Sequence, residues 1–247
     1  MRTFVVALVV VMATFGLAVA THPGASSAYS LIGFSADSKT VYFKKASWNV
    51  MQAEEWFVVW DATTGKQKTS QPILRHCGAG GEFEAGAECE GRGGSTLPQI
   101  EKKTGDRTVA KLHGSHGALA ADPLLAPKDK VAGDRYLKAA TSTGHAQVFT
   151  GKGIEIKVTT TYEGKKLPDL SDGMPKTAFF KLAATVTAGG ETWTASSRVY
   201  GEPVEDIDNG NIIRWEGLYV QGLALAPDRH AIALTFAGKP FLIQRKK

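Results

Sequence analysis

Two histidines separated by two residues, His113 and His116, are the side chains of this sequence whose type and spacing are best suited to chemistry. A Gly-Ser dipeptide lies between them, and in a turn both imidazoles could face one metal ion, with Asp122 or His145 as a further ligand. The alternative interpretation is a solvated turn that binds nothing. We favour that alternative and predict neither a metal site nor a cofactor.

A hydrolase could use the same pair of histidines differently. The chain contains no G-x-S-x-G, H-E-x-x-H or G-x-x-x-x-G-K-[ST] motif, so the common routes to a serine hydrolase, a zinc protease or a nucleotide-binding enzyme are not indicated. His113 and His116 would then need an acidic partner, such as Asp122 or Glu155, that only folding could bring near. An extracytoplasmic hydrolase is therefore the alternative to a non-catalytic function.

The two cysteines, Cys77 and Cys89, enclose a glycine-rich sequence within a loop-like segment at 75–106. In an oxidising compartment such a pair is expected to form one disulfide, and closing a loop of this size stabilises a fold by roughly 3 kcal/mol. A redox-active pair is the alternative, although the spacing is much wider than C-x-x-C. Zinc binding with the adjacent His76 is a further alternative, but the remaining ligand has no spacing signature.

Aromatic residues offer a different kind of site. Three of the five tryptophans, Trp48, Trp56 and Trp60, lie close together in the sequence. Trp56 and Trp60 have the same parity, so on a β-strand they share a face. If exposed, such a face could stack on sugar rings; the alternative is that the rings pack into the core.

Two similar segments stand near the ends of the chain, at 34–43 and 225–234. Aligning Asp37 with Asp228 places apolar residues opposite apolar residues on both sides of the aspartate. Each segment is typical of a strand, a tight turn and a second strand, with the aspartate accepting hydrogen bonds from backbone amides of the turn. A β-branched and aromatic strand that ends in a turn follows the first copy, at 55–66.

These segments resemble the repeats of TolB-like and WD-type β-propellers. The turn F-S-A-D-S-K at 34–39 is similar to the F-S-P-D-G-K-like turn of those blades, and W-D-A-T-T-G-K at 60–66 matches their W-D-x-x-T-G-K strand end. The usual Pro-Asp-Gly is Ala-Asp-Ser at 36–38 and Pro-Asp-Arg at 227–229. The resemblance implies an interaction platform rather than an enzyme.

The residues between the two copies contain no third copy, whereas propellers close with about four to eight blades. Alternation at 153–162 predicts a half-buried strand, strand-like runs at 177–187 and 191–200 flank a Gly-Gly turn, and 211–220 is expected to be another strand. We therefore predict one all-β domain over 21–247, with antiparallel sheets in a β-sandwich or propeller-like arrangement and little helix.

The first 20 residues have the three parts of a secretory signal peptide. Arg2 precedes an apolar run at 4–17, and Ala-Val-Ala at 18–20 supplies the small residues of a cleavage site. A membrane anchor is the alternative, but the run is shorter than the ~20 residues that span a bilayer. We expect the mature protein to be secreted or periplasmic, without a transmembrane segment after cleavage.

The distribution of charge along the chain disfavours nucleic acid as a partner. Lys and Arg number 29 against 24 Asp and Glu, a formal net charge of +5, and the excess is spread along the chain. A nucleic-acid-binding protein would be expected to cluster its basic residues with interleaved aromatic ones. The sequence thus favours a non-catalytic protein that binds an envelope or secreted protein, or a glycan, and not nucleic acid.

Overall fold

The chain forms an all-β fold of antiparallel sheets, as the sequence predicts. The computed structural model describes residues 26–48, 52–77, 112, 115–121, 124–128, 145–164, 167, 177–206, 212–214 and 217–245. Within these ranges helical geometry is confined to 112 and 115–116.

The strands, in chain order, are β1 Ser26–Phe34, β2 Thr40–Trp48, β3 Gln52–Asp61, β4 Gln67–Cys77, β5 Ala126–Pro127, β6 His145–Gly151, β7 Ile154–Tyr162, β8 Ala178–Ala188, β9 Glu191–Gly201, β10 Val204–Asp206, β11 Ile212–Arg214, β12 Val220–Leu225, β13 Ala231–Phe236 and β14 Lys239–Gln244. Strands β1 to β4 form a four-stranded meander, which we call the front sheet. Strands β5 to β9 form a five-stranded back sheet, and β12 to β14 form a three-stranded middle sheet. A two-stranded ribbon, β10 and β11, completes the described pairings.

The middle sheet is covered on both faces, and the sequence of β13 explains how. All six residues of this strand are buried. Ala231 and Ala233 lie in a core cluster shared with the front sheet, whereas Ile232, Leu234 and Phe236 lie in a larger cluster shared with the back sheet. Small side chains on one face and large ones on the other let the front sheet approach closely while filling the space toward the back sheet.

The β12 edge of the middle sheet is closed at Val220 by a buried glutamine. Gln147 on β6 is 5% exposed, and its amide makes two hydrogen bonds with the backbone of Val220 on β12. Its Nε2 donates to the carbonyl of Val220 at 3.0 Å, and its Oε1 accepts from the amide of Val220 at 2.9 Å. The side chain thus replaces the neighbouring strand that an edge residue lacks.

The hairpins predicted from the sequence are present, with one difference. Gly189 and Gly190 both have positive φ, 58° and 81°, as a two-residue turn between β8 and β9 requires. The single strand expected at 211–220 is wrong: β11 ends at Arg214 and β12 begins at Val220. Gly217 between them has φ of 60°, and its carbonyl accepts from the amide of Ala237, so a turn interrupts the strand there.

Candidate functional site

A cleft of about 400 Å³ opens where the front, middle and back sheets meet. Each sheet contributes one aromatic residue to its wall: Trp60 from β3, Phe241 from β14 and Tyr200 from β9. Thr64 and Gln244 add polar groups. We call this feature the three-sheet cleft.

The position of Trp60 is fixed by the turn that follows it. Asp61 ends β3, and its Oδ1 accepts hydrogen bonds from the amides of Thr63 at 2.8 Å and Thr64 at 2.9 Å. Its Oδ2 lies 3.0 Å from Nζ of Lys68. Lys68, followed by these backbone amides, lowers the pKa of Asp61 well below its ordinary value, so the carboxylate stays ionised and keeps the turn closed.

The same turn is tied to the middle sheet. Nε2 of Gln244, the last residue of β14, donates to the carbonyl of Ala62 at 3.0 Å and also to the carbonyl of Thr63. Gly65 has φ of 67° and lies under Leu242, where an added Cβ would be 3.8 Å from a methyl group. The two walls of the cleft that belong to the front and middle sheets are therefore held in a fixed relation.

The third wall is made by the back sheet. The Tyr200 ring meets the Phe241 ring edge to face, with centroids 5.8 Å apart, and Nζ of Lys239 lies 5.0 Å from the Tyr200 centroid. Lys239 is itself paired with Glu202 at 2.6 Å. Burial, followed by the phenol of Tyr200, raises the pKa of Tyr29 on β1, so a second tyrosine lies near this wall.

Most charges along the chain segments that line the cleft occur in pairs. Lys66, which follows the lining residue Gly65, is exposed and has no ion pair among the described residues, whereas three other cations have a carboxylate within 4 Å. The pairs are Lys68–Asp61 at 3.0 Å, Lys239–Glu202 at 2.6 Å and Arg245–Glu191 at 3.6 Å. The surroundings of the cleft thus combine aromatic surface with mostly matched charges, even though the whole chain is basic.

The predicted tryptophans occupy different places. Trp56 and Trp60 lie on the face of the front sheet that packs on the middle sheet, as their shared parity predicts, and both are partly buried against that core. Trp60 reaches the three-sheet cleft, whereas Trp56 is not part of its described lining. Nε1 of Trp60 is enclosed, without a hydrogen-bond partner among the described residues, so the N–H is not the group that the cleft presents. The side chain of Trp48 lies outside the described residues.

The structure describes only some of the residues of the predicted histidine site. His116 stacks on Phe57, with ring centroids 6.2 Å apart, on the outer face of the front sheet. Glu155 is exposed on β7, on the outer face of the back sheet, so the fold does not bring these two side chains together. His113 and Asp122 lie outside the described residues. No group of three or more His, Cys, Asp or Glu side chains suited to a metal ion occurs in the part of the chain that is described.

Two further predictions fall largely on undescribed residues. Cys77 is the last residue of β4, but its side chain and the whole of Cys89 lie outside the description, as do most of 75–106 and all of 1–20. Among the described residues, no helix is long and apolar enough to cross a bilayer.

Tyr200 and Phe241 are not among the candidate site residues that the sequence predicts. A signal for Tyr200 was present, because the alternation of β9 puts it among the polar, outward-facing positions of that strand. An aromatic residue at such a position is an exposed one. Phe241 carried no comparable signal, since β14 has no clean alternation and its neighbours are partly buried on both sides.

In the comparisons with known proteins, no family model, no curated protein and no solved structure matches this chain.

Proposed function

We propose that this protein is a non-catalytic, extracytoplasmic protein that binds a neutral glycan of the cell envelope in the three-sheet cleft. The observation that carries the proposal is the meeting of Trp60, Tyr200 and Phe241, one aromatic residue from each sheet. The signal-peptide pattern of residues 1–20 supports the compartment.

The chemistry of the cleft suits a sugar. Its volume falls within the roughly 300–1,000 Å³ typical of ligand sites, which combine apolar and aromatic walls with a few polar groups. The C–H face of a pyranose packs on aromatic carbon by dispersion and by the release of water, while its hydroxyls require hydrogen-bond partners. Thr64 and Gln244 supply such groups beside the rings.

The pairing of most charges beside the cleft favours a neutral glycan over an acidic one. An acidic polysaccharide would be held by unmatched Lys and Arg, and its affinity would fall steeply with salt. Lys68 and Lys239 are instead paired with carboxylates at 3.0 and 2.6 Å. A neutral saccharide needs no such charge and leaves these pairs intact.

The proposal is tested by calorimetric titration of the purified protein with neutral and acidic oligosaccharides. The neutral series is made of β-linked glucose and N-acetylglucosamine, and the acidic series of galacturonate. We expect the neutral series to bind with an affinity that is insensitive to salt, and the acidic series to bind more weakly.

Tyr200 provides a matched pair of variants for the same titration. Tyr200→Phe keeps the ring and should bind nearly as the wild type does. Tyr200→Ala should weaken binding about tenfold or more, because truncating an aromatic anchor at a binding site commonly costs over 1 kcal/mol. Absence of neutral saccharide binding, or equal binding by both variants, would contradict the proposal.

A further inference from the structure

Two of the exposed large hydrophobic side chains in the described part of the chain lie next to each other. Phe179 on β8 is 38% exposed and Tyr200 on β9 is 37% exposed. They are direct cross-strand partners on the outward face of the back sheet. Direct partners have their Cβ atoms about 4.5–5.5 Å apart, so the two aromatic side chains leave the same face of the sheet side by side.

Phe179 is held in place by its polar neighbours. The guanidinium of Arg198 lies over its ring, 4.0 Å from the centroid, and Nε of Arg198 donates to Oε2 of Glu163 at 2.7 Å. A ring that is already fixed by a stacked guanidinium loses little conformational freedom when a ligand binds. The guanidinium also carries further N–H donors beside the ring, which suit sugar hydroxyls.

Tyr200 connects this outer surface to the three-sheet cleft, because the same side chain lines both. Neighbouring strands are about 4.8 Å apart, so Phe179 places a second aromatic side chain one strand beyond Tyr200. Arg198 is paired with Glu163, so this extension also carries a matched charge.

We infer that the ligand is a saccharide chain, one part of which lies in the three-sheet cleft while the next part runs over Tyr200 onto Phe179. This inference rests on the proposed function and adds an outer subsite to it. A single sugar or a disaccharide would occupy the cleft alone. A longer chain would gain the contact with Phe179 and the donors of Arg198.

The test measures affinity as a function of chain length, from the disaccharide to the hexasaccharide of β-linked glucose and of N-acetylglucosamine. The wild type, Phe179→Ala and Leu124→Ala are compared. Leu124→Ala is the matched control, since it truncates another exposed apolar side chain, 48% exposed, that does not line the cleft. Circular dichroism and thermal unfolding establish that the variants fold.

We expect the affinity of the wild type and of Leu124→Ala to rise about tenfold with chain length, the scale of one aromatic contact. In Phe179→Ala that rise should disappear, while disaccharide binding stays unchanged. A rise that persists in Phe179→Ala would overturn the outer subsite and leave the cleft proposal standing. If no neutral saccharide binds the wild type at any length, both proposals fail. If Phe179→Ala instead removes only a co-purifying envelope protein, the surface is a protein interface and the inference is wrong.

Discussion

The backbone amide of Asp228 donates a hydrogen bond to Oγ of Ser38 at 3.0 Å, and this contact joins two turns that are 190 positions apart in the chain. Both turns come from the segments that resemble each other in sequence. Ser38 and Arg229, the residues after the two aspartates, have nearly the same positive φ, 64° and 61°. The two copies are therefore alike in backbone geometry and lie in direct contact.

The two turns also have the same pattern of hydrogen bonds. Asp37 accepts from the amide of Lys39 at 3.1 Å, and Asp228 accepts from the amide of His230 at 3.2 Å. The hydroxyl of Ser35, followed by that amide, lowers the pKa of Asp37. For Asp228 burial acts in the opposite direction, but the hydrogen bonds with His230 lower the pKa overall. Ionised aspartates thus stabilise both turns.

Ser38 gives the first prediction. Ser38→Ala removes the acceptor of the Asp228 amide and keeps a Cβ at positive φ, so we expect a loss of about 1–3 kcal/mol in the free energy of unfolding. Ser38→Gly loses the same hydrogen bond but relieves a left-handed strain of roughly 1–2 kcal/mol, and should be less destabilised than the alanine variant. Urea unfolding of the three proteins measures this order. A glycine variant less stable than the alanine variant would contradict it.

Gln147 gives the second prediction. Gln147→Leu leaves both the N–H and the C=O of Val220 without their partner at a buried edge, and each such group costs about 1–3 kcal/mol. Gln67→Leu is the matched control, because Gln67 is an exposed strand residue, and surface substitutions usually change stability by less than about 0.5 kcal/mol. Chemical unfolding compares the two. Equal stabilities would mean that Gln147 does not close the edge of the middle sheet.

The small face of β13 gives the third prediction. Ala233 is fully buried between the middle and front sheets, so Ala233→Leu should overpack this layer and cost about 1–3 kcal/mol. Ala183 on β8 is exposed in the interior of a strand, and Ala183→Leu should be nearly neutral. The midpoints of thermal unfolding of the two variants measure this difference in stability. A tolerated leucine at position 233 would contradict the close approach of the two sheets.

Asp61 gives a prediction about pH. Its pKa is lowered in the folded protein, relative to an ordinary value of about 3.9 in the unfolded chain. The stability it contributes is therefore fully present above about pH 4 and is lost as the pH falls further through the folded-state pKa. Asp61→Asn keeps the oxygen that accepts from Thr63 and Thr64 but has no charge. We expect the difference in thermal midpoint between wild type and Asp61→Asn to be largest near neutral pH and to shrink in acid; a constant difference would refute this.

Much of the fold could be read from local patterns. The alternation of β8 and the Gly-Gly pair after it predict a hairpin, and the structure places both as expected. The paired ends were visible because Asp37 and Asp228 occupy the same place in similar segments. The turn at Gly217 could not be predicted, because a glycine within a strand-like segment gives no indication of its φ.

Less of the candidate site could be predicted from the sequence. Trp60 could be selected as a candidate for binding because its residue type and parity were visible. Its partners, Tyr200 and Phe241, lie far away in the chain and come from different sheets. Their meeting depends on how three sheets stack, and no local periodicity encodes that packing.

The central claim is that a neutral saccharide binds in the three-sheet cleft, and the indole N–H resonances of the five tryptophans test it most directly. Trp60→Phe assigns the resonance of Trp60 by its disappearance, and the wild type is then titrated with the neutral hexasaccharides. We predict that the Trp60 resonance shifts in proportion to saturation, because its ring forms one wall of the cleft. Saccharide binding that leaves the Trp60 resonance in place, or no binding at all, would contradict it.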